Sequence, residues 1–327
     1  MKAIRQHEFG GPDTLRYEEV PDPVPGPGRV RIAVAAAGVH LLDTFIRAGR
    51  AGGPFPLPAL PMTPGREVAG TVEALGPGVD DAWRGRAVVA HLGQAHGGYA
   101  QLAVADVTAL HAVPDGLSPA EAVAMIGSGR TAVGILRVAA IGPDDVVLVP
   151  AAAGGMGALF VQAARNAGAK VVGLAGGPAK TATVRGLGAD VAEDYRDPGW
   201  PERVRAALDG AAPTLLLDGV GGEVGRAALD LLGVGSRMVM FGWSSGSITP
   251  FTSQDVAAKS LQVTWVTGPR MLAAPGGLRG LETEALAAAG RGELVALVHP
   301  PFALGDAAGA HAALEARATA GKVVLAP

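Results

Sequence analysis

From about residue 140 onward the apolar residues come in short runs, near 146–150, 170–175, 190–192, 213–218, 236–241 and 261–265, with segments of helical spacing between them. Short, continuous apolar runs separated by helices are the pattern of a parallel sheet covered on both faces. They predict a doubly wound parallel α/β domain of six strands. The helix after the first run shows its period directly, since Leu159, Ala163 and Ala167 share one stripe and Gly168 stops it. Residues 1 to about 120 read differently. Their β-branched runs are broken by Pro and Gly, as in 20–28 before a strand from Arg29 to Ala35, which predicts a mainly antiparallel β domain with short helices. Leu57 to Pro64, dense in proline, is expected to be an extended loop. Ser118 and Glu121 form a capping box. Helix and strand alternate from there, so the boundaries are set at 1–120, 121–265 and 266–327, with Gly268 to Gly280 as a loop and helix start.

The most informative stretch is the first of those runs, where Val146-Val147-Leu148-Val149 empties into Pro150-Ala151-Ala152-Ala153-Gly154-Gly155-Met156-Gly157. Glycines allow a tight turn and close backbone approach, while the N–H groups and positive dipole end of the next helix suit a dinucleotide pyrophosphate. The fingerprint is incomplete, because Ala151 stands where its first glycine is expected. A second strand, Lys170 to Ala175, closes a βαβ unit of roughly 30 residues. An NAD-binding unit places an acid after that strand to hold the ribose hydroxyls. Here the chain reads Ala175-Gly176-Gly177-Pro178-Ala179-Lys180, with no acid and with a cation. Room for a 2′-phosphate, with Lys180 and Tyr195 to contact it, points to NADP(H). Ala153, Gly154, Gly155, Met156 and Gly157 are the candidates for the pyrophosphate, and Ala175 and Gly176 for the adenosine end. Val220, Phe241 and Gly242 fall at strand ends, where the carboxyl edge of such a sheet meets its ligand.

Composition excludes several classes of function. A net charge of −3 and the lack of a basic patch with interleaved aromatics argue against nucleic-acid binding. No apolar run of about 18 residues and no charged-then-apolar leader is apparent, so a cytoplasmic protein outside the membrane is expected. With no cysteine in the 327 residues, thiolate nucleophiles and disulfides are impossible.

Taken in order along nearly the whole chain, several stretches resemble the zinc-free medium-chain dehydrogenases/reductases, close to the quinone oxidoreductases related to ζ-crystallin. They are Phe9-Gly10-Gly11-Pro12, the segment from Ala36 through Gly38, His40 and Asp43 to Gly49, Pro64-Gly65-Arg66-Glu67, Gly97-Gly98-Tyr99-Ala100, the bend at 150–157, Leu187-Gly188-Ala189-Asp190, Asp218-Gly219-Val220-Gly221-Gly222 and Gly321-Lys322-Val323. The resemblance implies a GroES-like mainly antiparallel β domain joined to a six-stranded Rossmann domain, with 266–327 returning to the first. Zinc-binding relatives use a Cys, a His in Gly-His-Glu and a later Cys or acid. This chain has Arg66 at the His position and no Cys, and the spacing of His91 and His96 suits no common helical zinc pair. Without a metal, hydride addition to an electron-poor double bond is easier than alcohol oxidation.

The expected activity is NADPH-dependent reduction of a quinone. The alternatives are reduction of a 2-enal, enone or enoyl thioester, for which Arg47, Arg50 and Arg66 would give a basic rim, and a non-catalytic NADPH-binding protein. The resemblance places His40, where relatives carry Asn, beside the nicotinamide as a polar contact or proton donor, with Asp43 orienting its neighbours, Arg47 bordering the pocket and Thr131 near the ring. It also brings Trp265, Val266 and Arg317 to the cofactor. Relatives pair the edge strand that 259–265 resembles, so a homodimer is expected.

Overall fold

The computed structural model describes residues 1–50 and 57–327. Its chain forms two compact units, one of Met1–Gly127 with Val298–Pro327 and one of Ser128–Leu297.

Along the first unit run β1 (Lys2–Gln6), β2 (Leu15–Glu19), β3 (Arg29–Val39), α1 (Leu41–Arg47), β4 (Glu67–Leu75), β5 (Ala87–His91), β6 (Leu102–Asp106), β7 (Leu110–Ala112) and α2 (Pro119–Ala124). The second unit carries α3 (Arg130–Ala139), β8 (Val146–Val149), α4 (Gly155–Asn166), β9 (Lys170–Ala175), α5 (Pro178–Gly186) and β10 (Val191–Asp194). It continues with α6 (Trp200–Leu208), β11 (Leu215–Asp218), α7 (Gly222–Leu231), β12 (Arg237–Met240), α8 (Ser253–Lys259), β13 (Gln262–Trp265), α9 (Pro269–Leu272) and α10 (Gly277–Gly290). The first unit then resumes with β14 (Phe302–Ala303), α11 (Ala307–Glu315) and β15 (Val323–Ala326).

The first unit is built around β3. Val30 and Ile32 point inward and are fully buried, while the strand's far end, Ala36-Ala37-Gly38-Val39, is buried on both faces. That end can be covered on both sides only because its residues are small. Its sheet has the order β14-β15-β3-β4-β5-β7, with β6 also on β3, and all of its pairings except β14 with β15 are antiparallel. β1 and β2 make a separate hairpin pair. Leu57 to Pro64 forms no helix or strand, bends at Leu60 and Pro61, and touches β1 through a single bridge between Met62 and Gln6.

The second unit is a parallel sheet of order β10-β9-β8-β11-β12-β13, the doubly wound arrangement that the apolar runs imply. The six strands fall within a few residues of the expected runs. Leu148, Val172, Leu174, Leu216 and Met238 line one buried layer against Trp200, Val204 and Leu229.

Two expectations are revised. Residues 266–297, read from sequence as part of the returning segment, lie in the second unit, and 121–127 lie in the first. The reason is α10, which packs along α3: Leu281 and Met271 close on the bare backbone of Gly134, and Arg130 Nη1 meets Glu282 Oε1 at 2.6 Å. Pro119–Ala139 is also one continuous 21-residue helical stretch, with a π-helical turn at Met125–Gly129, and by length and mean hydropathy (1.3) it could cross a bilayer. Of that apolar window 67% is buried, α2 against β3 and β4 and α3 against α10 and β12, as expected of a core helix that is apolar on most sides.

Candidate functional site

In the second unit, β8 turns sharply at Ala151, which adopts φ 53° in the left-handed region. Its carbonyl accepts the Gly154 N–H at 2.9 Å, and Ala152 N–H donates to Leu174 O of the neighbouring strand at 2.8 Å, so the bend is fastened to β9. Gly154 then starts α4 with no side chain capping it. A Cβ on Gly157 would overlap the Ala151 carbonyl and the Ala152 Cα, so only glycine lets α4 lie this close to the bend. Ala153 is buried, and Gly154, Gly155 and Met156 are half-buried at the opening turn. This is the concave backbone surface and positive helix end that an anion needs.

At the end of β9, Ala175 accepts the Tyr195 N–H at 3.2 Å. A Cβ on Gly176 would come within 3.0 Å of Tyr195 Oη, and one on Gly177, at φ +98°, would overlap the Arg196 guanidinium. The glycines thus keep a phenol and a guanidinium over the strand end. Arg196 is held by Asp194, which accepts from its backbone N–H (3.0 Å) and from Nη2 (3.1 Å). The Arg196 hydrogen bond is the largest influence on that carboxyl and holds it to about 2. Lys180 sits half-buried in the first turn of α5. Sequence reading named Lys180 and Tyr195 and missed Arg196, one residue farther on.

The neighbouring strand ends carry the next group. Asp218, fully buried at the end of β11, accepts the N–H groups of Val220 (2.9 Å) and Gly221 (3.0 Å) through Oδ1 and the Thr249 hydroxyl (2.5 Å) through Oδ2. That carboxylate fixes the loop holding Val220. Phe241 N–H donates to Asp218 O at 2.9 Å, its ring meets Phe160 edge-on, and Gly242 packs on the Gly219 backbone. Trp265 ends the edge strand β13 against Trp243, and buried Val266 donates to Met240 O. Thr131 is half-buried in α3.

In the first unit the sequence candidates belong to a buried ionic network. Gly38 lies in β3 between β4 and β15, and its missing side chain leaves room for Glu67, from the start of β4, to meet Lys322 just before β15. Lys322 Nζ donates to Glu67 Oε2 at 2.8 Å, with the two side chains 4% and 0% exposed. His40, two residues beyond Gly38 and therefore on the same face of the strand, brings Nε2 to 2.5 Å from Glu67 Oε1 and 3.0 Å from Lys322 Nζ. Burial alone would raise the Glu67 carboxyl, but His40 and Lys322 outweigh it and hold it well below its ordinary range. His40 Nε2 thus stands between a carboxylate, which only accepts, and an ammonium, which only donates.

Asp43 caps α1 in return, accepting the His40 N–H at 2.8 Å. Burial would raise its carboxyl too, and the charges of His40 and Arg66, whose Nε is 3.4 Å away, hold it down instead. Behind it lies a directional chain. Arg47 Nη1 stands 3.4 Å from His311 Nδ1, His311 Nε2 is 3.1 Å from Tyr99 Oη, and Tyr99 donates to Asp43 Oδ2 at 3.2 Å. A guanidinium only donates, so His311 Nδ1 must accept. Burial pulls the His311 pKa to about 4, leaving the neutral ring with its hydrogen on Nε2, aimed at Tyr99. Tyr99, its phenol pushed well above the usual value by burial and by Asp43, keeps its own hydrogen for the carboxylate.

Arg47 therefore points inward, its Nη2 on Glu315 at 2.7 Å, and Arg66 is buried as well. Neither can supply the basic rim expected of them. Arg317 stands exposed in the turn after α11 at φ 53°. Glu67, Tyr99, His311 and Lys322 were not singled out by sequence reading as site residues, although Gly38, a glycine inside a strand, marks a close approach.

Residues 26–115 match the family model described as alcohol dehydrogenase GroES-like domain, and residues 155–275 match the one described as zinc-binding dehydrogenase. The chain is 33% identical to the quinone oxidoreductase of Pseudomonas aeruginosa over 100% of its own length and 99% of that protein. It is 32% identical to the 2-haloacrylate reductase of a Burkholderia species, covering 98% and 97% of the two chains. The crystal structure of Escherichia coli quinone oxidoreductase complexed with NADPH aligns over 100% of both chains at a TM-score of 0.86 and 30% identity. The metal in the second model's name does not suit the residues present. Arg66 and Lys322 bring cations to the carboxylates of Asp43 and Glu67, and among the described residues no three His, Cys, Asp or Glu side chains are grouped to hold an ion.

Proposed function

Since the chain belongs to the quinone oxidoreductase family of the medium-chain dehydrogenases/reductases, we propose that it is an NADPH-dependent reductase that passes hydride to a quinone without zinc. The observation carrying this reading is the end of β9, where a phenol and a guanidinium stand over two glycines in the place that an NAD-binding unit gives to an acid. The backbone there and at Ala151–Gly157 fits a phosphorylated dinucleotide. Gly154, Gly155, Met156 and Gly157 would hold the pyrophosphate, and Gly176, Lys180, Tyr195 and Arg196 the 2′-phosphate. When bound, such a cofactor supplies a hydride for an electron-poor double bond.

The chain's own contribution is to bind, to orient and to manage a proton. His40 is 24% exposed, whereas Glu67 and Lys322 behind it are sealed, so of these three groups it is the one that reaches solvent. We assign it to hold the proton for the reduced acceptor, with Glu67 and Lys322 positioning the ring from behind through Nε2. Asp43, held by Tyr99, His311 and Arg66, keeps the backbone of His40 in place. The exposed edge strand β13, ending at Trp265, is proposed as the seam of a homodimer.

The likeness to a 2-haloacrylate reductase supports a second reading in which the acceptor is an α,β-unsaturated acid. One panel separates the two: oxidation of NADPH and NADH by the purified protein, followed at 340 nm with quinones, enones, enoyl thioesters and 2-chloroacrylate. Turnover of quinones with NADPH above all others is the expected result. Preference for 2-chloroacrylate would replace it with the second reading, and tight NADPH binding with no turnover would make the protein a non-catalytic binder.

A further inference from the structure

The strand ends of the second unit share a dinucleotide between them. The 2′-phosphate residues named above stand at the end of β9 and the pyrophosphate residues at the turn from β8 into α4, and β11 and β12 come next in the sheet order β10-β9-β8-β11-β12-β13. A dinucleotide crosses such a sheet where the strand order reverses, here between β8 and β11. With the adenosine end over β9, the nicotinamide half falls to the loops that leave β11 and β12.

Those two loops are bonded into one body. Ser244 N–H donates to Gly219 O (3.1 Å), Ser245 N–H to Val220 O (2.9 Å) and Gly222 N–H to Ser247 O (3.0 Å). A Cβ on Gly221 would overlap the Ser247 carbonyl, so this approach needs a bare backbone. Beneath the backbone bonds lies a side-chain clasp. Asp218 Oδ1 holds the N–H groups of Val220 and Gly221 from the first loop, and its Oδ2 holds the Thr249 hydroxyl from the second at 2.5 Å. Thr249 reaches it through a gap in α7, since a Cβ on Gly225 would overlap Thr249 Oγ1. Every other residue from Trp243 to Phe251 is exposed, whereas Thr249 is buried. The second loop is thus fastened by hydrogen bonds and one hydroxyl, with no apolar core of its own.

We propose that Asp218 and Thr249 are positioning residues for the nicotinamide half of the cofactor, acting through the loops that carry Val220, Phe241 and Gly242. The assignment rests on the NADP(H) reading above and deepens it by naming the pair that shapes the reactive end of the site. Loops already fixed before the cofactor arrives are not ordered at its expense, so binding keeps the free energy that ordering would consume. The adenosine end, held at β9 on the other side of β8, does not depend on the clasp.

The test compares two probes by titration calorimetry on the wild type, Thr249→Val and Thr249→Ser: NADPH, which spans the whole site, and 2′,5′-ADP, which fills the adenosine end alone. Thr249→Val keeps the shape of the side chain and takes the hydroxyl from Asp218, and Thr249→Ser keeps the hydroxyl. The expected result is a Kd for NADPH raised about tenfold in Thr249→Val, as for a lost hydrogen bond that leaves a buried acceptor unpaired. Its Kd for 2′,5′-ADP should equal that of the wild type, which also reports a folded second unit, and Thr249→Ser should match the wild type for both probes. Unchanged NADPH binding in Thr249→Val overturns the proposal. Equal weakening of both probes overturns it too, because the clasp would then support the unit at large, and so does a Thr249→Ser variant as weak as Thr249→Val. A wild type that binds neither probe defeats the NADP(H) reading and takes the proposal with it.

Discussion

Lys322 and Glu67 form an ion pair at 2.8 Å that is almost wholly sealed from water, and it exists because β3 offers Gly38 between the strands that carry them. Lys322→Met should cost up to about 3–5 kcal/mol, since it leaves the buried Glu67 carboxylate with His40 as its remaining partner. Adding Glu67→Gln to it should recover most of that loss. Urea unfolding of the two singles and the double measures both, and equal instability of Lys322→Met and the double variant would show that the pair is not coupled.

Stability should fall on mild acidification because of His311. The unfolded chain takes up a proton near pH 6.5 that the folded chain refuses until about 4, so the unfolded state binds more protons between those values. The loss is complete only below about pH 4 and reaches at most about 3 kcal/mol. Asp43 and Glu67, whose carboxyls are held low, add their own losses at still lower pH, as the pH falls through their folded values. Denaturation midpoints at pH 7.5, 5.5 and 4.5 should drop less steeply in His311→Gln than in the wild type.

Ala151 occupies a left-handed position for which glycine is the ordinary residue. Ala151→Gly should therefore raise stability, by about 0.5–1 kcal/mol once the greater freedom of glycine in the unfolded chain is counted. A thermal melt showing destabilisation would mean that the Ala151 methyl makes contacts worth more than the strain.

Replacing Tyr195 by Phe together with Arg196 by Ser removes a hydroxyl and a guanidinium from the end of β9. The ratio of kcat/KM for NADPH over NADH should fall by about tenfold, the worth of a lost charge-assisted hydrogen bond, through NADPH alone. An unchanged ratio would leave discrimination to Lys180 or to other residues.

Much of the second unit was legible in the chain because its signals are local. Six apolar runs became six parallel strands, and Gly154 to Gly157 became the opening turn of a helix, since strand length, glycine punctuation and helical period are written within a few tens of residues. The place of α10 was not legible. Its packing on Gly134, the Arg130–Glu282 ion pair and the bonds from Gln162 to Val295 keep 266–297 with the second unit, and no local pattern encodes a partner more than a hundred residues away.

For the site the division is the same. Sequence pattern named the glycine bend and the lack of an acid after β9, and the family resemblance named His40, Asp43 and Arg66, the last at the position where zinc-binding relatives carry a ligand. Tertiary structure decided that Glu67 and Lys322 meet over Gly38, that Arg47 and Arg66 turn inward, and that a chain of hydrogen bonds runs from Arg47 through His311 and Tyr99 to Asp43. Those pairings depend on the register of β15 and β4 on either side of β3 and on α11 packing against α1, with partners up to 282 positions apart. A charged side chain reads in sequence as a solvated one, and only burial beside its opposite charge turns it into part of a site.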